Sequence, residues 1–164
     1  MALFPRVRRF ALLTSIVAGL MVASVAPVAA AEPPQLTEAE RVIAIAVDQV
    51  GARWRFAATG PDEFDCSGLV TFAFREAGLL DRVGGKRRTA AGFYKYFNNL
   101  GLADRQNPRP GDIIIWGKNK HAGIYIGDGM AVSALTNPHG VSIHKVKGYV
   151  PIRLKAYLHV DLER

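Results

Sequence analysis

The strongest constraint on the fold is a change of hydrophobic period near residue 108. Ahead of it, apolar residues recur at helical spacing. Val42, Ile43, Ile45, Ala46 and Val50 follow a capping box made by Thr37 and Glu40, which predicts a first helix over 38–50. Asp65 is a good N-cap for CSGLVTFAFREAGL, with Gly78 near the stop of that second helix. A third helical stretch is expected over 89–100. Beyond the turn framed by Pro108 and Pro110 come IIIW, HAGIYIG, MAVSA and VSIHKV, parted by GKNK, GDG and TNPHG. These predict antiparallel strands joined by tight turns, with a final strand inside 151–160. Helices followed by a meandering sheet make an α+β domain, with N-terminal helices packed on a mostly antiparallel sheet of about five or six strands.

The N-terminus predicts the compartment. Arg6, Arg8 and Arg9 precede an uncharged, mostly apolar run over 10–28, which closes on Ala29, Ala30 and Ala31 before Glu32. Charge, apolar core and small residues in that order predict a secretory signal peptide over 1–31, leaving 32–164 as a single domain, secreted or held in the cell envelope. The run is barely long enough to span a bilayer and ends in residues that suit a signal peptidase, so membrane contact is expected only before cleavage. Net charge is +7 for the whole chain and +4 past residue 31, because the three arginines are the only charges ahead of Glu32. That moderate charge, not arranged as a basic helix, speaks against nucleic-acid binding.

Cys66 is the one cysteine in 164 residues. An exported domain with one thiol has no internal disulfide, so its stability comes from packing. The thiol is then a small buried hydrophobe, a handle for an intermolecular bridge, or a nucleophile. Its place at the first turn of a helix favours the last, since unpaired N–H groups and the helix dipole stabilise a thiolate there. A nucleophile also needs a base, and there are four histidines. His139 sits in a Pro-Gly turn, and His144 and His159 lie in strand contexts that predict exposed surface residues. His121 opens the strand AGIYIG after a tight turn, placed to face a helix N-terminus, although spacing alone leaves the pairing with Cys66 open.

DCSGLV, RPGDIIIW and HAGIYIGDG together resemble the signature segments of the NlpC and p-sixty family, papain-like cysteine peptidases that cut cell-wall peptides. The resemblance runs from about Val42 to the last strand and keeps the order of helix-borne cysteine and strand-borne histidine. It implies a papain-like fold, Cys66 as nucleophile and His121 as base, with no cofactor or metal. Asp65 and Ser67 match the residues flanking the family's cysteine, which help bind the free amine and peptide of the substrate. The partner implied is a peptidoglycan stem peptide, cut between D-γ-glutamate and the following diamino acid by a monomeric enzyme.

Four positions depart from the family's pattern. Ser133 stands where a third residue, His, Glu, Asn or Gln, is common; its hydroxyl can accept from the imidazole Nδ1–H and fix the tautomer, but it brings no charge to the imidazolium. Trp54-Arg55-Phe56-Ala57-Ala58 replaces Tyr-x-Trp-Gly-Gly, so Trp54 keeps the bulk at the substrate site without a phenolic oxygen. The two alanines add methyl groups where glycine allows close approach. Glu63 replaces a glycine and adds negative charge near the thiol. These departures keep a second reading open, a catalytically silent peptidoglycan-binding module on the same fold.

Three further features read as structure. GGKRR over 84–88 is expected to be a solvated, flexible basic loop rather than a guide for anionic wall polymer. Trp116 is expected in the core and GDG in a hairpin turn. No cluster of His, Cys, Asp and Glu has the spacing of a metal site.

Overall fold

Thr37 opens the first helix through the reciprocal capping box that the sequence predicts. Its hydroxyl accepts from the N–H of Glu40 at 3.2 Å, and the Glu40 carboxylate accepts from the N–H of Thr37 at 2.9 Å. In this computed structural model, which describes residues 35–148 and 152–164, α1 spans Glu38–Asp48 and buries Ala39, Val42 and Ala46. Asp65 caps α2 (Cys66–Glu76) by accepting from the N–H of Gly68 at 2.6 Å. Ser67 to Phe74 are all buried, which is why this helix reads as a continuous apolar run rather than a stripe. Thr89 caps α3 (Ala90–Asn99), which gives Ala90, Phe93 and Phe97 to the core. The signal peptide expected over 1–31 lies outside the described residues. No described helix is long and apolar enough to cross a membrane.

The strands are β1 (Arg53–Trp54), β2 (Glu63–Phe64), β3 (Ala103–Asp104), β4 (Ile113–Trp116), β5 (His121–Gly127), β6 (Met130–Leu135), β7 (Gly140–Lys145) and β8 (Leu154–Leu158). β1 and β2 pair in parallel as a small ribbon; the other six form an antiparallel sheet in the order β3-β8-β4-β5-β6-β7. The α+β architecture expected from the change of period is the one observed. β1, β2 and β3 are two residues each, too short to show a period.

β4 lies inside the sheet and is buried on both faces, which accounts for the unbroken IIIW. Ile113 and Ile115 join the helices in the main core, while Ile114 and Trp116 enter a second cluster with Tyr125, Ala131, Val146 and Tyr157. Each fully buried isoleucine contributes about 1.5–3 kcal/mol. Ahead of β4, the fully buried Asp112 carboxylate accepts from the N–H of Arg109 at 2.9 Å, the N–H of Val160 at 3.1 Å and Nη2 of Arg164 at 3.1 Å. His159 completes this anchor, with Nδ1 2.9 Å from Asp112 and Nε2 3.0 Å from Asp104. It is thus a clamp between segments and not the exposed residue expected, because the chain after β8 packs back on the entrance to β4.

Candidate active site

The cap of α2 sets the position of the thiol. Asp65 Oδ1 accepts from both the Gly68 N–H and Ser67 Oγ, the latter at 2.9 Å, so the first turn carrying Cys66 is held from two sides. Gly68 is required there, since a Cβ on it would lie 1.9 Å from the carbonyl oxygen of Ala58. That carbonyl also accepts from the N–H of Asp65 at 2.9 Å, tying residues 57–58 to the helix start. Ala57 adopts φ 61, so the left-handed backbone that glycine favours is kept at a cost of about 1–2 kcal/mol.

Cys66 is half-buried and shares a groove of about 380 Å³ with Trp54, Asp65, Ser67, Arg87 and His121. All the residues expected at the site except Ser133 line this groove; Ser133 lies fully buried behind His121. Burial pushes the Cys66 thiol up. The backbone N–H of Ala122 opposes that, Asp65 adds to it, and the N–H groups of Ser67 and Cys66 pull down again, with a net rise. The expectation that a helix start holds a thiolate is corrected on this point, because desolvation outweighs the N–H groups. His121 is pushed down to about 4, first by burial and then by the nearness of His144. Burial thus favours the neutral form of each group.

Register brings the third residue to His121. Ile124 pairs with Val132 across β5 and β6, so Ser133 lies opposite Gly123 and diagonal to His121 on the same face. His121 Nε2 is 2.9 Å from Ser133 Oγ. The nitrogen engaged is Nε2 and not the Nδ1 expected, and Nδ1 has no hydrogen-bond partner among the described residues. Gly123 makes room for this contact, since a Cβ there would stand 2.9 Å from Cβ of Ser133.

The structure adds residues that sequence reasoning missed. His144, expected at the surface, is buried with 3% exposure, and its Nε2 is 2.7 Å from Ser133 Oγ. Trp116, in the core as expected, tilts against both rings, 5.3 Å from His121 and 5.8 Å from His144 between centroids. Arg87 Nη2 donates to Asp65 Oδ2 at 2.8 Å, and Arg88 bonds the carbonyls of Val83 and Gly84 while lying 4.4 Å over the ring of Tyr96. The basic loop is accordingly pinned at two of its residues. Glu63 pairs with Arg53 at 3.2 Å and with Arg55, so its charge is compensated within the β1–β2 ribbon instead of acting on the thiol. Asn119 also lines the groove, and its Oδ1 has no hydrogen-bond partner among the described residues.

The sequence profile of the NlpC/P60 family matches residues 51–158. A probable endopeptidase of Mycobacterium tuberculosis is 37% identical over 106 residues, covering 64% of this chain and 25% of the relative. A probable endopeptidase of Corynebacterium glutamicum is 30% identical over 127 residues, covering 77% and 56%. The chain thus spans about a quarter of the mycobacterial relative and just over half of the corynebacterial one. Among solved structures, the peptidoglycan hydrolase RipB of Mycobacterium tuberculosis superposes with a TM-score of 0.55 at 25% identity, covering 77% of this chain and 64% of that one. The NlpC/p60 domain of the peptidoglycan hydrolase SagA gives 0.59 at 19% identity, covering 74% and 98%, and supports the fold.

Proposed function

This chain belongs to the NlpC/P60 family, and on that premise we propose that it is a secreted cysteine endopeptidase of the cell envelope that hydrolyses peptidoglycan stem peptides. The bond proposed is that from D-γ-glutamate to the following diamino acid, cut by residues 32–164 as a monomeric mature domain after removal of 1–31. The observation that carries this reading is one groove lined by both Cys66 and His121, with the N–H of Ala122 acting on the sulfur.

Because burial favours the neutral form of both partners, proton transfer accompanies attack. His121 Nδ1 takes the thiol proton as the Cys66 sulfur bonds to the scissile carbonyl carbon, and the oxyanion is met by backbone N–H groups at the start of α2. Collapse of the tetrahedral intermediate breaks the C–N bond, and the imidazolium returns its proton to the leaving amine of the diamino acid. Water then attacks the thioester with His121 as base, releasing the carboxylic acid and restoring the thiol. Asp65 supplies the carboxylate, Ser67 the hydroxyl and Trp54 the apolar wall that receive the peptide on the glutamate side.

The test is incubation of the mature domain with purified wall fragments and mass spectrometry of the products. Stem peptides cut at the diamino acid are expected from the native domain and none from Cys66→Ala, with wall binding retained by both. Null products from both proteins with binding intact would instead identify a silent wall-binding module.

A further inference from the structure

We propose that His144 is a positioning residue that acts through Ser133 to fix the tautomer of His121. The proposal rests on the reading of His121 as a base and deepens it, since it names what holds that base in its working form.

Donors and acceptors run in series across three neighbouring strands, β5, β6 and β7. His144 Nδ1 lies 3.0 Å from the carbonyl oxygen of Lys145, and a carbonyl only accepts. Nδ1 therefore carries the proton, and in a neutral imidazole Nε2 is then an acceptor. Burial lowers the pKa of His144, so the neutral ring is the form favoured. Ser133 Oγ, 2.7 Å away, has one proton and gives it to that nitrogen. Having donated there, the hydroxyl can only accept from His121, 2.9 Å on its other side. His121 must then be protonated at Nε2, which leaves a lone pair on Nδ1, a nitrogen with no hydrogen-bond partner among the described residues and the one that the thiol of Cys66 needs. Every bond in the chain points away from the groove.

The direction matters twice. It prepares His121 as an acceptor before substrate arrives, and it stabilises the imidazolium afterwards, because the hydroxyl already turns its lone pairs toward His121. A serine alone supplies neither, since its hydroxyl donates as readily as it accepts. Without His144 the Ser133 proton turns to His121 Nε2 and drives the ring proton to Nδ1, where it blocks the thiol. The geometry is built into the sheet: Ser133 pairs with Ser142 and Ala131 with His144 across β6 and β7, which sets His144 diagonal to Ser133 on the face that His121 occupies. Both rings rest on Trp116, whose indole N–H is itself held by the carbonyl of Val146 at 2.9 Å.

Two measurements test this without any wall substrate, so failure here is separate from failure of the peptidase reading. Nitrogen-15 spectra of the imidazoles at neutral pH should show His144 protonated at Nδ1 and His121 at Nε2. Finding His121 protonated at Nδ1 in the native protein overturns the proposal whatever the variants do. The second measurement is the rate of Cys66 alkylation by iodoacetamide. His144→Leu should slow it about tenfold, and His144→Gln, whose amide oxygen accepts and whose NH2 donates, should recover most of the loss. The decisive comparison adds Ser133→Ala to His144→Leu. Removing the misdirected hydroxyl should make the double variant faster than His144→Leu alone, a reversal that a packing role does not produce. A double variant as slow as or slower than His144→Leu, with melts showing both folded, sinks the idea. If His144→Leu does not fold, the native spectra and His144→Gln decide.

Discussion

Arg87 Nη2 donates to Asp65 Oδ2 at 2.8 Å, from a loop 22 residues further along the chain. The other oxygen of the same carboxylate is committed to Ser67 and Gly68. If Asp65 receives the free amine of a stem peptide, that amine competes with a guanidinium already in place. Arg87→Ala should therefore lower KM for stem peptides with a free amino terminus by about three- to tenfold, leave kcat near its native value, and do nothing for acetyl-capped ones. An equal change for both substrates would show that Arg87 reads another part of the peptide.

Gly68 meets Ala58 so closely that no side chain fits. A Cβ 1.9 Å from a backbone carbonyl oxygen cannot be relieved by a rotamer change, so Gly68→Ala must move either residues 57–58 or the first turn of α2. The expected result is a loss of about 2–3 kcal/mol in chemical denaturation together with a fall in Cys66 alkylation, since the thiol rides on that turn. Gly78→Ala is the control: its Cβ meets nothing within 4 Å, and its cost comes only from φ 73.

The sequence shows Cys66 and His121 because each stands at an element boundary marked by local chemistry, an N-cap aspartate in one case and a tight turn in the other. Ser133 is legible only through the resemblance, as the position twelve residues after His121 where the family commonly carries its third polar residue. His144 is not, because VSIHKV shows that Ser142 and His144 share a face but not which face, and that choice is made by pairing with β6. Arg87 and Glu63 look like loose charges until tertiary structure supplies Asp65 in one case and Arg53 and Arg55 in the other. What remained hidden was partnership across the chain, while element type and order were visible in the period.

Ser133 has no room to grow. It is fully buried between two imidazoles, with Gly123 behind it already as small as a residue can be. Ser133→Ala should lower turnover on a stem peptide by about five- to tenfold, the worth of a neutral hydrogen bond. Ser133→Glu introduces the carboxylate common elsewhere in the family, but it must displace His144 or Gly123 and should lose both stability and activity. Turnover at or above the native level in Ser133→Glu would show that the sheet opens to admit it.

The same buried histidines should make the fold sensitive to mild acid. His121 is pushed from 6.5 down to about 4, and His144 is lowered as well, in both cases first by burial. The unfolded chain therefore binds more protons than the folded one between about 4 and 6.5, and stability rises with pH through that window. The contribution is complete above 6.5 and is lost as pH falls toward the folded value. For His121, partly open to the groove, its size after solvent screening is on the order of 2 kcal/mol. Thermal melts should drop by about 5–10 °C between pH 7.5 and pH 4.5. Replacing His121 with Asn removes the larger of the two titrations, so the variant's melting temperature should depend less on pH over the same interval. Parallel curves for the two proteins would place the acid sensitivity elsewhere, in carboxylates such as Glu38 and Asp104 whose lowered pKa values act further down the scale.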